Sequence, residues 1–117
     1  MLSKPNRLTN KRDFDRVFAA ERATYHPLCT LRAARNELSV SRFGIVCGKR
    51  VGGAVVRNRV RRRLRHQVRR LLVDTAPGWD ILLVGQPKAA QAASAELYDA
   101  LKEVLRRRGV LTRAELI

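Results

Sequence analysis

The sequence predicts an α+β fold, a single-domain α/β sandwich in which three helices pack on a small mixed sheet. Its 117 residues fit one domain. Hydrophobic residues make up 45% of the chain, enough at this size to bury a core without disulfides or metals. Helical and strand-like apolar patterns alternate in the order α-β-β-α-β-α, with room for one further strand before the second helix.

A short first helix is predicted after a basic, extended arm over residues 1–8. Thr9 or Asn10 can cap this helix, because a side-chain oxygen there accepts a hydrogen bond from the first turn. Three residues at i, i+3 and i+4 give the helix one apolar face: Phe14, Val17 and Phe18. Their spacing alone indicates residues that pack in the core.

Three stretches of the chain predict strands. Residues 25–33 form the first, and residues 38–50 form the second, in which apolar side chains recur with period two around Ile45. Residues 79–85, WDILLVG, are almost continuously apolar. Such a run is typical of a strand that is buried on both faces.

The second predicted helix runs from about Ala54 to about Val73 and is both amphipathic and strongly basic. Half of the sixteen residues from 57 to 72 are arginine. At 100° per residue, one arc of this helix is apolar and the opposite arc is almost wholly cationic. No acidic residue occurs between Leu38 and Val73, so i,i+4 ion pairs cannot neutralise the cationic arc. We therefore expect this arc to bind nucleic-acid phosphates rather than to be a solvated surface.

The third predicted helix is capped by Ser94 and stopped by Gly109, because glycine adopts the left-handed conformation that ends helices. Its apolar stripe consists of Leu97, Leu101, Val104 and Leu105. Residues 109–117 are predicted to be a flexible tail. The whole chain, residues 1–117, is predicted to be one domain.

Composition narrows the classes of function. The net charge of +15 favours a polyanionic partner. No apolar run reaches the roughly 20 residues that span a bilayer, and the N-terminus lacks the apolar segment of a secretory signal. We therefore expect a cytoplasmic protein without a membrane partner. Cys29 and Cys47 are too few for a disulfide framework and are expected to be reduced thiols in the core.

Patterns typical of protein catalytic sites are absent from the sequence. His26 and His66 lie in separate segments, and the ten acidic residues form no metal-binding pattern. We expect neither catalytic nor metal-ligating residues. If the chain belongs to an enzyme, the chemistry should reside in a partner.

Two other functions fit the same charge. A small ribosomal or general structured-RNA-binding protein would also carry an arginine helix. A DNA-binding regulator would insert that helix into a major groove. The second alternative lacks a recognisable helix-turn-helix partner, and its base-reading helix would be expected to carry more Asn and Gln.

Three segments together resemble the protein subunit of bacterial ribonuclease P. NRLTNKRDFDRVF (6–18) is similar to the opening pattern R-L-x-x-x-x-x-F-x-x-V-F of that family. RFGIVCGKRVGGAVVRNRVRRRLR (42–65) resembles its glycine-bearing strand, its paired basic residues and its signature A-V-x-R-N-x-[IV]-[KR]-R. WDILLVGQP (79–87) is similar to its closing strand.

The resemblance implies both a fold and a role. The fold would have a four-stranded mixed sheet and a left-handed β-α-β crossover, a ribosomal protein S5 domain 2-like arrangement. The catalytic RNA of ribonuclease P would hold the magnesium ions and cleave precursor tRNA to leave its mature 5′ end. The protein would bind that RNA and the 5′ leader of the precursor, with no protein partner required.

The resemblance also assigns residues by motif position. Those expected to contact the catalytic RNA are Arg57, Asn58, Arg59, Arg61, Arg62, Arg65, Lys49 and Arg50. Phe14, Phe18 and Arg42 would line a cleft for the single-stranded leader, because an aromatic ring can stack on any base. The family often has a further aromatic residue on its first strand, whereas here that neighbourhood is Pro27–Thr30, with Tyr25 a few residues earlier.

Overall fold

The computed structural model describes residues 4–20 and 22–112, and within them three α-helices pack on one four-stranded sheet. The helices are α1 (Lys11–Phe18), α2 (Ala54–Leu71) and α3 (Ser94–Arg108). The strands are β1 (Ala23–Tyr25), β2 (Cys29–Arg35), β3 (Arg42–Cys47) and β4 (Trp79–Gly85). The predicted α+β class is confirmed.

The sheet has the order β1-β2-β4-β3. Strand β2 is antiparallel to both β1 and β4, whereas β3 and β4 are parallel and are joined through α2. The sheet is therefore mixed, as predicted. The left-handed sense of the β3-α2-β4 crossover stays a prediction.

Two predicted strand boundaries are wrong. Residues 25–33 belong to two strands, because the chain turns between Tyr25 and Cys29, where His26 Nδ1 accepts a hydrogen bond from Leu28 N at 3.0 Å. The second strand is limited to Arg42–Cys47. On its N-terminal side Asn36 Oδ1 accepts a hydrogen bond from Leu38 N at 2.7 Å, and such a side-chain contact favours a turn.

Each face of the sheet packs on different helices. Ile81 and Leu83 of β4 belong to the larger core cluster, which includes buried residues of α2 and α3. Leu82, between them, belongs to a second cluster with Val17 of α1 and with Leu8. Because successive side chains of a strand point to opposite faces, helices on both sides explain why β4 is apolar along its length.

The helix ends agree with the predictions except at Ser94. Asn10 caps α1, since its Oδ1 accepts a hydrogen bond from Arg12 N at 2.8 Å. Ser94 is the first residue of α3 and not its cap. The N-terminus of α3 is closed by Glu96, whose Oε1 accepts a hydrogen bond from Ala93 N at 2.7 Å. At the other end of α3, Gly109 has a φ of 82° and ends the helix, as predicted.

Both ends of the described chain are held by the fold more firmly than expected. Leu8 is buried, and its N–H donates to Phe43 O at 2.8 Å along the edge of β3. Val110 and Leu111 are also buried, so the predicted tail does not begin at residue 109. The left-handed turn at Gly109 directs both residues back into the core. Residues 1–3 of the arm and 113–117 of the tail lie outside the described residues.

Candidate nucleic-acid interface

Helix α2 is fixed in the core through one complete face. Val60, Leu64, Val68 and Leu71 are fully buried, and they pack in the cluster that includes the inner residues of β4 and α3. Because these residues recur at helical spacing, rotation of α2 about its own axis would expose them. The predicted apolar arc is confirmed, and it sets the orientation of the arginines on the opposite arc.

The cationic arc of α2 is not neutralised by carboxylates of the described residues. Among the residues that the structure describes, no arginine of α2 forms an ion pair with a carboxylate. The first turn of α2 contains no acidic residue, and its N-cap, Gly53, supplies no side-chain hydrogen bond. The positive end of the helix dipole therefore adds to an uncompensated positive surface.

Six of the eight residues predicted to contact the catalytic RNA line two concavities. A concavity of about 420 Å³ is lined by Val55, Asn58, Arg61, Arg62 and Arg65. Within it, Asn58 Oδ1 accepts a hydrogen bond from Arg61 Nη2. Lys49 and Arg50 are exposed and line a second concavity of about 260 Å³, at the carboxyl ends of β3 and β4. Arg57 and Arg59 lie on the same helix but do not line the first concavity.

Phe14 of α1 is partly a core residue. A Cβ atom on Gly44 of β3 would come within 2.6 Å of Phe14 Cε1, so glycine is required at this position for the ring to approach the sheet. The ring also lines a small concavity of about 130 Å³ whose wall includes Arg65. Because Arg65 lines the larger concavity on α2 as well, the aromatic region and the arginine surface are continuous.

Phe18 is an exposed aromatic residue on one flank of α1. Phe18 is 48% exposed, and at 100° per residue it shares a flank of α1 with Phe14. The opposite flank carries Asp13 and Arg16. Arg16 forms an ion pair with Asp80, near the start of β4. The aromatic flank is therefore directed towards the end of β4.

A row of paired residues crosses the sheet near the end of β4. Tyr25 pairs with Thr30, Thr30 with Val84, and Val84 with Val46. The row lies on the α1 side of the sheet, because Val84 is two residues from Leu82. Tyr25 is 67% exposed. Sequence reasoning gave it no place in the cleft, because the hairpin register that positions it could not be read from the sequence.

Arg42 is not brought to the aromatic rings. Its guanidinium donates to both oxygens of Asp80, from Nε at 2.8 Å and from Nη2 at 2.7 Å, and Nη2 also lies 3.3 Å from Asp13 Oδ2. Arg42 therefore lies on the Asp13 flank of α1, away from Phe14 and Phe18. It offers no free cation to the cleft, contrary to the expected position, because two carboxylates compensate its charge.

The carboxylate of Asp80 is fully buried and fully partnered. Besides Arg42, Asn36 Nδ2 donates to it at 2.9 Å, and Arg16 binds it from α1. Burial acts to raise the pKa of Asp80, but the hydrogen bonds from Arg42 and Asn36 and the charges of Arg42 and Arg16 hold that pKa below its ordinary value. The hydrogen bond with Asp80 is likewise the main cause that raises the pKa of Arg42.

The cysteines and histidines form no reactive cluster in the described part of the chain. Cys29 and Cys47 are free and buried, as predicted, and they lie on either side of Gly85 in the sheet. Two strand spacings separate them by roughly 10 Å, too far for a disulfide. Burial raises the pKa of the Cys29 thiol to about 12.

Residues 4–20 and 22–112 contain neither a metal-binding cluster nor a membrane-spanning helix. No group of three His, Cys, Asp or Glu side chains there could hold a metal ion. None of the helices in that part of the chain is long and apolar enough to cross a membrane.

The sequence is similar to those of known proteins along most of its length. Residues 2–109 match the family model described as Ribonuclease P. The chain is 38% identical over 114 residues to the ribonuclease P protein component of Roseiflexus castenholzii, a match covering 97% of this chain and 93% of that protein. It is 37% identical over 109 residues to that of Dehalococcoides mccartyi, covering 93% and 89%.

Solved structures have the same fold. The structure is similar to the RNase P protein of Thermotoga maritima, with a TM-score of 0.77 and 26% identity, over 86% of this chain and 96% of that one. It is also similar to the RNase P protein of Staphylococcus aureus, with a TM-score of 0.81 and 22% identity, over 92% and 98%.

Proposed function

This chain belongs to the ribonuclease P protein family, whose members are subunits of an RNA-processing endonuclease. We propose which of its surfaces bind the RNA partners of that enzyme. Helix α2 binds the catalytic RNA of ribonuclease P in the cytoplasm. The cleft beside α1 binds the 5′ leader of precursor tRNA. Together they help the RNA to remove the leader and leave the mature 5′ end.

The observation that carries the proposal is the uncompensated arginine surface on a helix whose other face is buried. Guanidinium groups bind phosphate oxygens in a bidentate fashion. A helix fixed in the core presents them in a preset arrangement, so less conformational entropy is lost on binding than with a disordered basic tail. If 6 to 10 phosphates are contacted, affinity should fall roughly 10³- to 10⁵-fold between 50 and 200 mM salt.

The cleft suits a single strand of varied sequence. Phe18 and Tyr25 are exposed aromatic residues, and every base has a face that can stack on such a ring. Arg65 lies where the aromatic region meets the arginine surface. A leader in the cleft would thus continue directly towards the bound RNA, and Tyr25 would supply the aromatic group missing from β2.

Magnesium does not fit this chain as a resident ion. Its described residues offer no cluster of metal ligands, and the proposed RNA surface is cationic. We assign the magnesium ions of the reaction to the RNA partner. The contribution of the protein is to neutralise phosphates that the RNA and the precursor bring close together.

Reconstitution tests the proposal. The purified chain would be mixed with a bacterial ribonuclease P RNA and a 5′-extended tRNA precursor, at a magnesium concentration where the RNA alone is slow. We expect cleavage at the mature 5′ end to be restored. Cleavage by the RNA alone at high magnesium is the control that the RNA is active. Binding without any change in cleavage would instead support a ribosomal or general RNA-binding role.

A further inference from the structure

The position of Tyr25 depends on a short strand at the edge of the sheet. Strand β1 has three residues and, within the described part of the chain, pairs only with β2, where Tyr25 lies opposite Thr30. Directly after Tyr25 the chain turns towards β2. The end of such a strand frays readily, because a single neighbouring strand supplies its ladder of hydrogen bonds. A contact from outside the sheet would therefore decide how firmly the backbone of Tyr25 is held.

Arg107, near the C-terminal end of α3, makes such a contact. Its Nη1 donates a hydrogen bond to Tyr25 O at 2.8 Å, although the two residues are 82 positions apart in the sequence. The same nitrogen lies 3.4 Å from Oε2 of Glu103, one turn earlier on α3. A hydrogen bond from a charged donor is stronger than one between neutral groups, and the ion pair with Glu103 orients the donor. Arg107 thus fastens the end of β1 to α3.

Helix α3 is a firm anchor for this contact. Leu101, Val104 and Leu105, which precede Arg107 on the helix, are fully buried in the larger core cluster. Movement of Arg107 relative to the sheet would expose these side chains, and their burial is favourable by about 1.5–3 kcal/mol each. The backbone of Tyr25 is therefore tied to a part of the molecule that is itself fixed.

Arg107 contacts the backbone of Tyr25 and not its ring. Thr24 pairs with Leu31, a residue of the larger core cluster, and therefore faces the side of the sheet on which α3 packs. Because successive side chains of a strand point to opposite faces, the ring of Tyr25 lies on the α1 side, where it is 67% exposed. The contact with Arg107 thus leaves the surface of the ring open.

We propose that Arg107 is a positioning residue for recognition of the precursor leader, because it holds the carbonyl of Tyr25 to α3 and so fixes where the exposed ring meets a leader base. This inference rests on the proposed function, in which Tyr25 stacks on the leader. In this role Arg107 contacts the protein and not the RNA. A ring that is held in place before binding loses less conformational entropy when a base stacks on it. The contact therefore raises affinity for precursors with a leader and adds nothing to affinity for mature tRNA.

The fastening of β1 is tested first, without RNA. Backbone ¹⁵N relaxation of the full chain gives an order parameter for each amide, about 0.85 where the backbone is rigid and below about 0.6 where it is flexible. In Arg107→Ala the order parameters of Tyr25 and His26 should fall towards the flexible range. Arg106→Ala removes the same charge at the neighbouring exposed position and should leave them unchanged. Equal order parameters in the wild type and Arg107→Ala would overturn the inference.

The effect on recognition is tested with the holoenzyme, reconstituted from the chain and a bacterial ribonuclease P RNA. Arg107→Ala should weaken binding of a 5′-extended tRNA precursor about 2- to 10-fold, the range expected for loss of one hydrogen bond. Binding of mature tRNA should stay the same, and Arg106→Ala should change neither affinity. A similar loss for precursor and mature tRNA would point to a general effect on structure or charge and would exclude a positioning role.

The link to Tyr25 is tested by a double-mutant cycle. If Arg107 acts through the ring, Arg107→Ala should cause no further loss of precursor affinity once Tyr25→Ala has removed that ring. An equal loss in both backgrounds would contradict the inference and indicate direct contact of Arg107 with RNA. If Tyr25→Ala alone leaves precursor affinity unchanged, the proposed leader contact of Tyr25 fails and the positioning role fails with it. The order parameters still decide separately whether Arg107 fastens β1.

Discussion

The carboxylate of Asp80 in β4 accepts two parallel hydrogen bonds from the guanidinium of Arg42 in β3, at 2.8 and 2.7 Å. The same carboxylate binds Arg16 of α1, and Arg42 also reaches Asp13 of α1. This cluster around the buried carboxylate of Asp80 therefore joins two parallel strands to the helix that carries Phe14 and Phe18. It holds α1 at one position on the sheet.

Loss of the Asp80 charge should destabilise the protein. Asp80→Asn removes the negative charge that Arg42 and Arg16 share and replaces one acceptor oxygen with an NH₂ donor, and breaking a buried pair typically costs a few kcal/mol. We expect the free energy of unfolding, measured by urea denaturation, to fall by about 3 kcal/mol. Asp99→Asn, the same change at an exposed position of α3, should have almost no effect. Equal small losses in both variants would contradict the role of the cluster.

The Asp80 cluster should also make the free energy of unfolding depend on pH in the acidic range. The pKa of Asp80 is lowered in the folded state, whereas in the unfolded chain it is near 3.9. Its contribution is therefore fully present above the unfolded value and is lost as the pH falls through the folded value. Unfolding free energies measured from pH 7 down to pH 2 at fixed ionic strength should fall less steeply below pH 4 in Asp80→Asn than in the wild type. Parallel curves would rule out this contribution.

Removal of two arginines from α2 should weaken assembly with the catalytic RNA. In Arg57→Ala with Arg61→Ala, the slope of log affinity against log salt should fall by about two, since each phosphate contact contributes about one. Affinity itself is measured by filter binding at several salt concentrations. The matched control is Arg12→Ala with Arg106→Ala, two exposed positions outside α2. Assembly equal to that of the control would refute the assignment of α2.

Aromatic residues of the cleft should discriminate precursor from mature tRNA. Phe18→Ala and Tyr25→Ala each remove an exposed ring, and loss of one stacked base costs roughly 1–3 kcal/mol, or about 5- to 150-fold in affinity. We expect the affinity of the holoenzyme for a precursor with a leader to fall by that factor. Its affinity for mature tRNA should stay the same. Val73→Ala, at an 82% exposed apolar position, is the control.

Phe14→Ala should also weaken binding of precursor tRNA more than binding of mature tRNA. It should in addition lower the free energy of unfolding, because that ring also packs over Gly44. Both effects are separated by measuring unfolding free energy beside tRNA affinity. An equal loss of affinity for precursor and mature tRNA would point to damage of the core instead of a leader contact.

The sequence by itself determined the elements whose signals are local. The period of 3.6 residues and the absence of acids define α2 and its two arcs, and the apolar run from Trp79 to Gly85 defines β4. Gly109 ends α3 for the same reason, since a left-handed turn depends on the residue itself. The three segments that together predict the family (6–18, 42–65 and 79–87) are also local signals, because each is a contiguous stretch.

Only the tertiary structure decided which distant residues meet. Arg42 was expected in the cleft, but Asp80, 38 residues later, binds it on the other flank of α1. Tyr25 lies on the α1 side of the sheet through the register of β1 on β2, and Gln67 lines a concavity that Ser94 of α3 completes. The physical reason is the same in each case. These positions depend on strand register and helix packing between segments far apart in the chain, and no local periodicity encodes them.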